Sequence, residues 1–198
     1  MNHPDANTLL SVILLIAGAY LAGSLNVSII LFSLAGKGDP RSRFSGNAGT
    51  VNVWRQAGLG WAAAVLALDM ARGVLLALLA VRFLPPAFVP WVGFALISGN
   101  RYPCFHRFRG GKGVAAYLGF SLPLIAPFMA AAACAAWAGL YAVTKIPFIS
   151  SFVLITVLAV SAIMCQDNLT AAAGVLATLL FIYWNHRGNI RQLLQKRK

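Results

Sequence analysis

The chain has 198 residues, of which 60% are hydrophobic and 10% charged, with a mean hydropathy of +0.77. A soluble domain is about 45–50% apolar, so this composition excludes one and places the chain in a bilayer, where crossings of roughly 20 residues each leave only short loops. The net charge of +12 comes from 16 Lys and Arg against 4 Asp and Glu. Because the basic residues sit in short membrane-bounded loops without a recognisable binding module, nucleic acid is excluded as a partner.

Met1 to Asn7 carries Asp5 and no Lys or Arg, and the apolar run behind it is too long for a cleaved h-region, so the first helix is expected to stay attached. A first span is expected over about Leu9 to Leu34, interrupted by Ser24, Asn26 and Ser28 beside Gly23. Polar side chains at that depth face either a partner helix or a watery site, since lipid leaves their donors unpaired. The loop Phe44 to Gly58, FSGNAGTVNVWRQAG, follows. Gly46, Gly49 and Gly58 allow a tight backbone that presents N–H groups to an anion, Ser45, Asn47, Thr50 and Asn52 add neutral donors, and Arg55 adds charge. Holding a phosphate needs that combination. The second span, about Trp61 to Val81, contains Asp69 and Arg72, which share a helical face and are expected to pair with each other or with a loop.

Pro85, Pro86 and Pro90 mark a short outer loop, after which a short third span, about Phe88 to Ser98, leads into a second glycine loop. That loop, Gly99 to Gly113, reads GNRYPCFHRFRGGKG and sets Lys112 among Gly110, Gly111 and Gly113. The apolar run Val114 to Val143 is too long for one crossing and carries Pro123 and Pro127, which predicts two helices with a turn near Pro127. A sixth span covers about Ile149 to Met164, with Ser150 and Ser151 at its mouth, and Gln166, Asp167 and Asn168 form a polar turn. The seventh, about Leu169 to Trp184, ends in the basic tail NHRGNIRQLLQKRK. Cys104, Cys134 and Cys165 share no metal-like spacing and read as free thiols, so neither a disulfide framework nor a metal centre is expected.

The expected fold is therefore an all-α integral membrane protein, one domain over residues 1–198, with seven transmembrane helices. Every Lys and Arg except Arg72 and Arg82 then falls on one face. The positive-inside rule makes that face cytoplasmic, with the N-terminus outside and the C-terminus cytoplasmic. The same charge is available to anionic lipid head groups. Ser45, Asn47, Asn52, Arg55, Lys112, Ser151, His186 and Asn189 all lie in the loops of this face or at adjoining helix ends. They can converge on one interfacial site where a water-soluble phosphorylated substrate meets an amphiphile, Arg holding a phosphate in bidentate fashion and Lys adding a point charge. Simple solvation of loop residues is the alternative. His186 and Asn189 share a face if the last helix continues past Trp184. His186 is then a general base, an orienting donor or a snorkelling interfacial residue.

Four stretches also carry a family resemblance: Ser45-Gly46-Asn47-x-Gly49-x-x-Asn52-x-x-Arg55, Leu68-Asp69-Met70-x-Arg72-Gly73, Phe108-Arg109-Gly110-Gly111-Lys112-Gly113-Val114-Ala115 and His186-Arg187-x-Asn189-Ile190. Together they resemble, in order, the motifs of the bacterial acyl-phosphate:glycerol-3-phosphate acyltransferases of the PlsY type, over the chain from about Gly23 to Leu194. The resemblance implies an enzyme of the bacterial inner membrane with its site facing the cytoplasm. Such an enzyme transfers a fatty acyl group from acyl-phosphate to the 1-hydroxyl of glycerol 3-phosphate, giving lysophosphatidic acid and phosphate. By the same resemblance His186, Asn189 and Ser45 are expected to be catalytic, and Arg55, Lys112, Ser151, Asn47, Asn52, Gly110 and Gly111 to hold substrate phosphates. No cofactor or metal is expected, and the chain is expected to act as a monomer among membrane lipids. The chain departs from the family pattern at Asn100, where His is usual, at Val51, at Gly188, where Glu is common, at Arg72, where Lys is usual, and at Pro147-Phe148 before the serine motif.

The chemistry agrees with the residues. An acyl-phosphate is already an activated mixed anhydride, so the protein has mainly to align it with a hydroxyl and stabilise the departing phosphate. No covalent nucleophile is required, and Ser45 has no triad around it in the sequence. A paralogue acylating another phosphorylated alcohol is one alternative. A lipid or solute transporter is another, but it predicts charged groups deep within several spans, whereas only Asp69 and Arg72 are charged and deep.

Overall fold

The computed structural model describes residues 5–195, and every regular element among them is helical. Lys196, Arg197 and Lys198, counted above on the basic face, and the first four residues lie outside the described residues. The helices are α1 Ala6–Ser24, α2 Val27–Leu34, α3 Thr50–Ala57, α4 Leu59–Phe83, α5 Val89–Arg101, α6 Val114–Ser121, α7 Pro127–Thr144, α8 Pro147–Met164, α9 Leu169–Asn185 and α10 Arg187–Gln195.

Helices α1, α4, α7 and α8 are each long and apolar enough to cross a bilayer, and α9 joins them if it is taken with α10, from which it is bent by 41°. Their outward residues are apolar, among them Leu9, Ile13 and Leu14 on α1, Leu75 and Leu78 on α4 and Leu180 on α9. A multi-pass membrane protein follows. The structure thus has four or five helices of crossing length where the sequence predicts seven spans. The shortfall lies in α5 and α6, of 13 and 8 residues, which rise roughly 20 and 12 Å against a hydrocarbon core of about 30 Å. Helix α5 is buried along Val89, Val92, Ala95, Leu96 and Ile97, packed against α1, α4, α6 and α9. Short helices are tolerated there because neighbouring protein, and not lipid, surrounds their ends. The turn expected near Pro127 is present: a 3-10 turn over Leu122–Leu124 ends α6 and Pro127 begins α7.

The first expected span is two helices, and the polar cluster is the reason. Asn26 caps α2, its Oδ1 accepting from the Ser28 hydroxyl at 2.9 Å and from the Ile29 N–H at 3.4 Å. Arg72 of α4 serves the carbonyls at this break, donating from Nη1 to Ala22 O at 3.0 Å and Leu25 O at 2.6 Å. Its Nη2 pairs with Asp69 at 2.6 Å. Asp69 and Arg72 therefore bond both to each other and to a helix end, which lets a broken helix persist among apolar neighbours.

Small residues set the helix spacing. A Cβ on Gly99 of α5 would stand 2.0 Å from Tyr20 O, and one on Gly119 of α6 would stand 2.1 Å from Met70 O. Backbones that close leave room only for hydrogen, which is how helices associate where lipid is as apolar as their side chains. A separate small core of Phe32, Val53, Ala62 and Val65 holds α2 and α3 onto the first turns of α4.

Candidate active site

The expected loop Phe44 to Gly58 is irregular only as far as Gly49 and then becomes helix α3, and the expected loop Gly99 to Gly113 begins only after α5 ends at Arg101; the connecting stretches 35–49 and 102–113 are bonded to each other at one end of the bundle. The Ala48 N–H donates to Gly110 O at 3.4 Å. Arg41 reaches across from the first loop to donate to His106 O at 2.8 Å, and Asp39 pairs with it at 2.6 Å. The Arg41 hydrogen bond holds the Asp39 carboxyl below the usual carboxylate range, so the clamp stays ionised at neutral pH. In the second loop the N–H groups of Gly110 and Gly111 donate to Arg101 O at 3.1 Å and Asn100 O at 2.9 Å. A Cβ at Gly111 would fall 2.7 Å from Ala48 O, so glycine there is a condition of the two loops meeting. Both amides are engaged on the end of α5.

Lys112 stands where this loop enters α6. Gly113, at φ 89°, makes the turn in a left-handed conformation that side chains disfavour. The Lys112 ammonium donates to Asn189 Oδ1 of α10, and the Lys112 carbonyl accepts from Asn185 Nδ2 at 3.4 Å. Burial, followed by the charges of Arg101 and Arg55, pushes the Lys112 pKa down to about 8. His186 caps α9 and is only 3% exposed, its ring edge-on to Phe152 of α8 with centroids 5.2 Å apart. His186 Nδ1 lies 2.8 Å from Ile182 O. A carbonyl only accepts, so this nitrogen is assigned the proton in the neutral ring and Nε2 the lone pair.

Helix α3 supplies the remaining cation. Its inner face carries Asn52 and Val53, 2% and 0% exposed, which turns Arg55 outward on the opposite side. The four Asp side chains are placed elsewhere. Asp5 caps α1, Asp39 and Asp69 pair with Arg41 and Arg72, and Asp167 sits in the turn beyond α8. The charges of Arg101 and Arg55 both bear on Lys112, and among the described residues none of the three is in an ion pair, a positive field suited to an anion.

The other expected site residues divide into two groups. Asn52 shapes the loop: its Nδ2 donates to Pro40 O at 2.7 Å and Arg43 O at 3.3 Å, and its Oδ1 accepts from the Ser45 N–H at 3.2 Å. Ser45 is exposed and Asn47 half-buried in that loop, and among the described residues neither bonds to Lys112. The Ser151 hydroxyl donates to Pro147 O at 2.9 Å and accepts from Trp137 Nε1 at 3.4 Å. It faces α7, and its neighbour Phe152 is the residue that meets His186.

A sequence profile described as glycerol-3-phosphate acyltransferase matches residues 13–196. The chain belongs to this family. The acyltransferase of Thioalkalivibrio sulfidiphilus is 40% identical over 183 residues, covering 91% of this chain and 89% of that one. The acyltransferase of Hydrogenovibrio crunogenus is 41% identical over 182 residues, covering 91% and 87%. Crystal structures of PlsY, an integral membrane glycerol 3-phosphate acyltransferase, share the fold. Its glycerol 3-phosphate form gives a TM-score of 0.86 at 29% identity and its lysophosphatidic acid form 0.83 at 28%, each covering 95% of this chain and 94% of that one. The PlsY-type membership implied by the four motifs therefore holds over nearly the whole chain.

The acyltransferase fold also brings up residues that the sequence reading did not single out. Asn185 bonds the Lys112 carbonyl, the charge of Arg101 bears on Lys112, and Arg41 clamps the loops. The available signals were faint: Arg101 was one cation among several in its loop, and Asn185 an amide next to the histidine that drew attention.

Proposed function

We propose that this chain transfers a fatty acyl group from acyl-phosphate to the 1-hydroxyl of glycerol 3-phosphate, giving lysophosphatidic acid and inorganic phosphate. The observation that carries the reading is Lys112, bonded to Asn189 and through its carbonyl to Asn185, next to buried His186, and in neither ion pair found among the described residues. Holding a phosphate requires a cation not already paired with a carboxylate. Support comes from the family and from the PlsY structures described with glycerol 3-phosphate and with lysophosphatidic acid.

In this reading Arg55 and Lys112 hold the phosphates, with Ser45 and Asn47 contributing donors from the outer loop, and Asn189 orients Lys112. Asn52, Gly110 and Gly111 act by holding the loop in shape, and Ser151 by tying α8 to Trp137 of α7. The acceptor hydroxyl attacks the acyl carbonyl, a C–O ester bond forms, the bond from acyl carbon to phosphate oxygen breaks, and the phosphate departs with the electron pair. The hydroxyl proton passes to His186 Nε2 or to the departing phosphate, which balances the reaction without a covalent enzyme intermediate. Asp69 and Arg72 are committed to the α1–α2 break, which leaves the transporter reading without a deep charged path.

The same reading gives α5 and α6 the role of short crossings sheltered by longer helices, making seven in all. The basic end faces the cytoplasm of the bacterial inner membrane, the amino terminus faces outside, and one chain carries the complete site. The test is phosphate release from palmitoyl phosphate by the purified protein in detergent, with and without glycerol 3-phosphate. Release that depends on the acceptor is expected, falling at least about a hundred-fold in Arg55→Ala and Lys112→Ala with folding intact. Full activity in both variants removes the phosphate-clamp assignment.

A further inference from the structure

We propose that Arg101 is a third cation of the phosphate cradle, donating the Nε edge of its guanidinium to a phosphate that Lys112 also holds. The inference rests on the phosphate-handling reading above and adds a residue to it. Arg101 is the last residue of α5, and its carbonyl accepts from Gly110 N at 3.1 Å, so its backbone is fastened to the chain two residues before Lys112. Its guanidinium rests against the Tyr102 ring, 5.2 Å from the centroid. The Arg101 Nε is buried and has no hydrogen-bond partner among the described residues, and neither of the two ion pairs found among them includes Arg101.

A buried guanidinium donor without a partner is a costly arrangement, tolerated where a ligand completes it. The Nε and Nη donors of one edge match two oxygens of a phosphate, a geometry that lysine cannot reproduce. The Gly110–Arg101 backbone bond brings the end of α5 against the segment that carries Lys112, and the charge of Arg101 bears on Lys112 ahead of that of Arg55. Two cations held together with no carboxylate between them repel, and an anion seated across both removes that repulsion. The ligand is a phosphate monoester or acyl-phosphate, both of which present the same oxygens.

The experiment compares the full-length protein with Arg101→Gln and Arg101→Lys. Steady-state kinetics are run by varying palmitoyl phosphate and glycerol 3-phosphate separately, and the rise in unfolding temperature caused by glycerol 3-phosphate and by inorganic phosphate is measured without turnover. Arg101→Gln is expected to raise KM at least about ten-fold for one of the two substrates and to abolish the phosphate-induced stabilisation, with Arg101→Lys recovering part of both. The substrate whose KM moves identifies whose phosphate Arg101 holds. Unchanged KM for both substrates together with a wild-type stabilisation by phosphate overturns the proposal, even if kcat falls. A wild-type protein that binds phosphate but transfers no acyl group defeats the proposed reaction, while the stabilisation data still decide the role of Arg101. If Arg101→Gln does not fold, Arg101→Lys decides: wild-type KM values and stabilisation with the fork removed refute bidentate holding.

Discussion

Lys112 is held by an amide, Asn189, with two guanidinium charges acting on it and no carboxylate bonded to it. Its pKa of about 8 lies below the ordinary 10.5, so between those values the unfolded chain holds the proton more tightly than the folded one. The destabilisation from this residue is therefore fully present below about pH 8 and is relieved as pH rises toward 10.5. A bound phosphate reverses the shift by supplying the missing negative charge. Near pH 9, where inorganic phosphate is already a dianion, its binding should thus take up close to one proton per site. Calorimetric titration with inorganic phosphate in two buffers of different ionisation enthalpy measures this directly, and identical heats in both buffers at pH 9 contradict it. At this scale the sequence was readable where a residue type alone announces chemistry, as with Arg55, Lys112 and His186. Asn52, Gly110 and Gly111 were not readable in that way, because their donors are used on carbonyls of the chain itself, and only a folded backbone shows which groups are already bonded.

Helices α1, α4, α5 and α6 are spaced by glycine, and the break between α1 and α2 is held by one buried ion pair. Gly99→Ala places a methyl group 2.0 Å from Tyr20 O, so α1 and α5 must part, at a cost of about 1–3 kcal/mol by analogy with overpacked cores. The unfolding temperature in detergent should drop accordingly, and activity with it, because α5 carries Arg101 and anchors the second loop. Gly139→Ala is the control: nothing stands within 4 Å of that position, and its unfolding temperature should be unchanged or slightly raised. Equal behaviour of the two variants rules out backbone contact as the spacing device. Asp69→Ala leaves Arg72 buried without its counter-charge, a loss of about 3–5 kcal/mol for such pairs, and should lower stability more than Gly99→Ala. The sequence marked Ser24, Asn26 and Ser28 as polar at depth but left their purpose open. Capping a broken helix depends on Arg72, which is distant in sequence and adjacent only after packing.

Taken as one molecule, the protein has a basic end and an opposite end. Cys165 follows α8 away from the loops and shares an open cleft with Pro85, Pro86 and Asn168, whereas half-buried Cys104 lies in the second loop. If the basic end is cytoplasmic, a membrane-impermeant maleimide should label Cys165 in spheroplasts and not in inside-out vesicles, with Cys165→Ser abolishing the signal. Labelling confined to inside-out vesicles inverts the topology. Exposed Cys134 sits within α7 and provides an internal comparison from a helix long enough to lie in lipid.

Membrane class, helical fold, the turn before Pro127, the basic loops and the family were all determined by the amino-acid sequence, because apolar run length, proline, charge and motif order act locally along the chain. Tertiary structure decided that α5 and α6 are too short to reach across on length alone, that α1 ends at Ser24, and that Lys112 meets Asn189. Each of these is settled by what surrounds a residue: a short helix by the neighbours that replace lipid, a broken one by a donor from another helix, and a cation by the amide that a distant helix brings to it.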